Sequence, residues 1–74
     1  MAILTKEEKK SIINNHIRNL EYIKYGYEID VLQENAKSNP SSEALEKFSD
    51  SIDEVTSQLS ALNSELSSVE ALTE

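Results

Sequence analysis

His16 is the only histidine in a chain of 74 residues, and the only side chain whose ordinary pKa lies near neutrality. A histidine can act as a general base, a metal ligand or a pH-sensitive contact, and each role needs partners. On a helix the candidate partners stand three and four positions away, and here they are Ile12, Ile13, Asn19 and Leu20. None is a carboxylate, and no Glu-x-x-His pair occurs, so the di-metal carboxylate pattern is absent. His16 reads as a packed or rim histidine. Serines are abundant in the second half, but no glycine elbow, second histidine or Gly-rich phosphate loop accompanies them. With no cysteine, disulfide frameworks and thiolate zinc sites are excluded. The expectation is a chain with no catalytic, cofactor-binding or metal site, and not an enzyme.

Charge points the same way. The chain carries 7 Lys+Arg against 14 Asp+Glu, a net charge of −7. Residues 1–37 balance, with Lys6, Lys9, Lys10, Arg18, Lys24 and Lys37 against Glu7, Glu8, Glu21, Glu28, Asp30 and Glu34. Residues 38–74 hold only Lys47 against Glu43, Glu46, Asp50, Asp53, Glu54, Glu65, Glu70 and Glu74. A phosphate-binding surface needs clustered Lys and Arg, so no direct nucleic-acid binding is expected. Glu43, Glu46, Asp50, Asp53 and Glu54 share one side of the second half, which reads as a solvated face. No stretch reaches the ~20 apolar residues of a membrane span, and the start lacks the pattern of a secretory signal. A cytoplasmic location is expected.

The elements that would position these residues are two helices. Thr5 with Glu8 forms a capping box, and no proline interrupts the chain before residue 40. A first helix is predicted over about 5–37. The break is Lys37-Ser38-Asn39-Pro40-Ser41-Ser42, with a turn at about 38–39. Asn39 is the expected N-cap and Pro40 the first helical residue of a second helix over about 40–71, followed by a frayed tail at 72–74. The whole chain, 1–74, then forms one domain.

The second helix carries the clearest pattern. Leu45, Phe48, Ile52, Val55, Leu59, Leu62, Leu66 and Val69 are spaced 3, 4, 3, 4, 3, 4, 3. This heptad seam predicts coiled-coil-like packing against a partner helix. The first helix is apolar on two sides. One stripe holds Ile12, Ile13, Ile17, Leu20, Ile23, Tyr27 and Val31; another holds Tyr22, Tyr25, Ile29, Leu32 and Ala36. Gly26 interrupts the helix between two tyrosines, which suggests close approach or a bend.

The short break favours an antiparallel hairpin. Folding back would bring Lys6, Lys9 and Lys10 beside Glu65, Glu70 and Glu74, Lys24 near Asp53, and Lys47 near Asp30. One seam covers only one stripe, so the fold class expected is an all-α antiparallel hairpin that dimerises into a four-helix bundle. Which stripe faces the second helix stays open.

The stretch Ala36-Lys37-Ser38-Asn39-Pro40, followed by Leu45 and Phe48, resembles the helical-hairpin turn of type III secretion needle subunits. The likeness spans about a dozen residues. The chain lacks the characteristic C-terminal segment of those subunits, and its strict seam is unlike them, so no functional residue carries over. The leading expectation is a structural or adaptor module that self-associates as a homodimer or higher homo-oligomer. The alternative is a small chaperone or inhibitor of a heterologous protein, of the kind found among secretion-associated and phage accessory proteins.

Overall fold

The computed structural model describes residues 3–73; Met1, Ala2 and Glu74 lie outside them. Two helices, α1 (Lys6–Asn35) and α2 (Ser42–Glu70), pack against each other as a hairpin measuring 59 × 15 × 14 Å. The start of α1 follows from local chemistry. Thr5 is extended, its Oγ1 accepts the Glu8 N–H at 3.1 Å, and the Glu8 carboxylate accepts the Thr5 N–H at 3.0 Å. This is the expected capping box, and it satisfies backbone donors that a helix end otherwise leaves free. The Thr5 backbone N–H, and then its side chain, hold the Glu8 carboxyl below the usual carboxylate range.

The connection differs from the expected turn at 38–39. α1 ends at Asn35, and α2 begins only at Ser42, with Ser41 rather than Asn39 as N-cap. Ser41 Oγ accepts the Ala44 N–H at 3.1 Å. The reason for the later start lies across the turn. The Glu34 carboxylate accepts the Ser41 N–H at 2.9 Å, and Lys37 Nζ donates to its other oxygen at 2.9 Å. Glu34 thus fixes where the chain re-enters helix, and Pro40 serves as the residue before the cap. None of the described non-glycine residues adopts a positive φ, and neither does Gly26, so the turn requires no glycine.

The far end of the hairpin is tied in a similar way. Lys6 Nζ donates to the Leu72 carbonyl oxygen at 3.2 Å. α2 has no basic residue in its own last turn, so Lys6 brings positive charge to the negative end of the dipole. Lys9 and Glu65 line one shared depression. The antiparallel fold-back is therefore observed, but the expected pairs Lys24–Asp53 and Lys47–Asp30 are not. Lys47 pairs instead within α2, with Glu43 at 3.9 Å, and Lys10 pairs within α1, with Glu7 at 3.8 Å. Pairs four or fewer residues apart on one helix form at lower entropic cost than pairs across two. The expected contact of Glu74 lies outside the described residues.

All eight seam residues of α2 turn inward: Val55 and Val69 are buried, and Leu45, Phe48, Ile52, Leu59, Leu62 and Leu66 are half-buried. On α1 the inward positions are Ile13, Ile17, Leu20, Lys24, Tyr27, Val31 and Glu34, stepping 4, 3, 4, 3, 4, 3. The first stripe thus faces α2, with two corrections. Ile12 and Ile23 are 45% and 48% exposed, because a 3.5-residue step leaves them on the flank. Lys24 and Glu34 take the places a purely apolar reading gave to neighbours. The core is thin: among the described residues only Ile13, Val55 and Val69 are buried hydrophobics. Among the described residues no helix is long and apolar enough to cross a membrane.

Candidate interaction surface

Among the described residues, α1 carries apolar residues on two sides, whereas α2 has its single seam. At about 100° per residue, the stripe Tyr22, Tyr25, Ile29, Leu32 and Ala36 lies roughly 150° around α1 from the positions that meet α2. α2 therefore cannot reach it. Tyr22, Tyr25 and Leu32 are 66%, 65% and 64% exposed, and Ala36 is exposed as well. Ile29 differs: it is half-buried although it points away from α2. Its neighbours four before and three after are Tyr25 and Leu32, whose long side chains share its face of the helix. The five residues predicted as an interface thus form one continuous strip, with Ile29 at its centre.

The strip has a polar start. Arg18 lies one turn before Tyr22, with its guanidinium carbon 5.4 Å from the centre of the Tyr22 ring and Nη2 3.5 Å from the hydroxyl. A cation over an aromatic face contributes about 0.5–1 kcal/mol when exposed. A shallow depression beside it is lined by Arg18, Glu21, Tyr22 and Tyr25. Both tyrosines present an apolar body with a polar tip, the combination favoured where one end of a contact stays wet.

Other candidates take less part. His16 is exposed on α1. Glu43, Glu46, Asp50, Asp53 and Glu54 are all exposed on α2, as a solvated face requires. Among the described residues no three His, Cys, Asp or Glu side chains gather as a metal-holding group. Gly26 is not explained by the hairpin, since a Cβ built there meets nothing within 4 Å. Close approach of α2 is thus not its reason.

Two inward-facing residues of α1 were not singled out by the apolar spacing. Glu34 is 7% exposed, and its carboxyl is held below the usual carboxylate range, first by the Ser41 N–H and then by Lys37. Lys24 is half-buried in the row facing α2. The signal for both was the unbroken 4, 3 stepping from Ile13 to Glu34, which continues through polar positions. No protein-family model, curated protein or solved structure matches this chain.

Proposed function

We propose that this chain is a non-catalytic structural or adaptor module that self-associates through the outer strip of α1. The observation that carries the reading is the exposure of Tyr22, Tyr25 and Leu32, each about two-thirds open, beside a core in which Ile13, Val55 and Val69 are the buried hydrophobics among the described residues. A single core in a chain below ~70–80 residues rarely supplies more than ~3–5 kcal/mol. Burying the strip adds apolar burial at about 25 cal/mol per Å² where the hairpin has little. Self-association also suits the placement of charge: the acidic face of α2 is turned away from the strip and stays in water.

The expected four-helix bundle then takes a particular form. The strip and the α2-facing row lie nearly opposite on α1, so two hairpins joined strip to strip make a row, with both α1 helices inside and both α2 helices outside. Within each hairpin, the matched 3, 4 stepping of the two inward rows supports heptad packing. Light scattering coupled to size exclusion tests the reading. A dimer or larger assembly is expected at about 100 μM, where even a weak pair with a dissociation constant in the tens of micromolar is largely associated. A monomer at that concentration would overturn it and turn attention to a heterologous protein partner on the same strip.

A further inference from the structure

We infer that the second copy lies antiparallel on α1, related by a two-fold axis at the level of Tyr27; this rests on the self-association proposed above and adds its geometry. The strip continues the 4, 3 stepping from Arg18 through Tyr22, Tyr25, Ile29 and Leu32 to Ala36. In an antiparallel pair, positions of one kind in the repeat face positions of the other kind. One register satisfies this along the whole strip. Tyr22 then faces the second copy's Leu32, Tyr25 faces its Ile29, and Arg18 faces its Ala36, each pair symmetric about Tyr27. Every large residue meets a smaller one, so the layers interdigitate.

Charge selects the same orientation. The last turn of α1 contains no basic residue, and Ala36 is its C-cap. The antiparallel register brings the second copy's Arg18 to that negative helix end. A parallel pair would instead set Arg18 against its own copy. Gly26 lies on the flank of the strip beside the axis, with open space where a side chain would be. It leaves room for the two helices to approach there. On the opposite flank Glu28 faces its own copy across the axis, which limits the strength of the pair.

The contact area agrees with a weak dimer. Two aromatic rings and a leucine, each about two-thirds exposed, together with Ile29 and Ala36, present roughly 500 Å² per copy. Buried in full on both copies, this would total about 1,000 Å², the lower bound for a specific interface.

The chain has no cysteine of its own, so cross-linking reads orientation directly. Full-length Tyr22→Cys and Leu32→Cys chains are mixed in equal amounts in a glutathione redox buffer, and the disulfide-linked products are separated by mass. Both residues are exposed, so each variant keeps the hairpin core. A severalfold excess of the mixed disulfide over the two homodisulfides combined is expected. Homodisulfides in excess, or a statistical mixture, overturn the antiparallel pairing while leaving self-association in place. A wild-type chain that scatters light as a monomer overturns both. As a second arm, Glu28→Gln tightens the dimer severalfold if the axis is placed as inferred; unchanged affinity overturns that placement.

Discussion

The Glu34 carboxylate, at the end of α1, accepts the backbone N–H of Ser41, the N-cap of α2, at 2.9 Å. One side chain thereby joins the end of one helix to the start of the next. Lys37 closes the arrangement from within the turn at 2.9 Å. The N–H of an N-cap residue has no helical partner, so Glu34 meets a donor that folding would otherwise leave to water. Replacing Glu34 with Ala removes both bonds and leaves the Ser41 N–H without its acceptor. Glu34→Ala is expected to lower the melting temperature clearly, and Glu34→Gln, which keeps an acceptor but loses the charge, by less. Thermal melts followed by circular dichroism check the order. Equal melts for all three chains would show that the turn does not depend on this contact.

The same contact sets an acid dependence. The Glu34 carboxyl is held below its ordinary range when folded, first by the Ser41 N–H and then by Lys37. A group whose folded pKa is depressed adds stability that is complete above its unfolded pKa. That stability is lost as pH falls through the folded value. Glu8 behaves alike through Thr5. The loss from Glu34 therefore begins near the ordinary glutamate value of about 4.3 and continues below it. The melting temperature of wild type minus that of Glu34→Gln isolates the term, and this difference should shrink below about pH 4. A difference that stays constant down to pH 2 would contradict it.

Gly26 has ordinary helical backbone and open space around its missing side chain. A helix-interior glycine costs about 0.8–1 kcal/mol relative to alanine. Gly26→Ala is expected to stabilise the isolated hairpin by up to about 1 kcal/mol. Urea denaturation at low micromolar concentration measures this with association suppressed. Destabilisation there would mean that the glycine is required by α1 itself.

Lys24 occupies an inward position between Leu20 and Tyr27 and is half-buried. Leucine there would extend the apolar row, and half-burial of such a side chain is worth about 1 kcal/mol. Lys24→Leu is expected to raise the urea midpoint with little change in slope. A lower midpoint would show that the ammonium group contributes more to the hairpin than the burial it prevents.

The fold was legible where sequence and structure share a period. The seam from Leu45 to Val69 announces itself because every member is apolar, and all eight turn inward. Thr5 and Glu8 announced the first cap because both halves of the box lie within four residues. Glu34 was not legible, since its partner Ser41 is seven residues away across a turn, and local rules favoured Asn39-Pro40 as the helix start. Ile12 and Ile23 were grouped with the first stripe by type alone, whereas the 3.5-residue step places them on its flank. The outer strip was visible as spacing, and the hairpin leaves it open. The half-buried state of Ile29 depends on the reach of its neighbours' side chains, which spacing does not convey.

In the proposed assembly the outer strip of α1 holds copies together while the inward row holds the hairpin. Leu32 separates the two roles, because it is 64% exposed and makes no part of the core. Sedimentation equilibrium of wild type and Leu32→Asp, with circular dichroism at matched concentration, tests this directly. An associating wild type and a monomeric Leu32→Asp chain of unchanged helical content are expected. A variant that associates as wild type does, or that loses its helices, would contradict it.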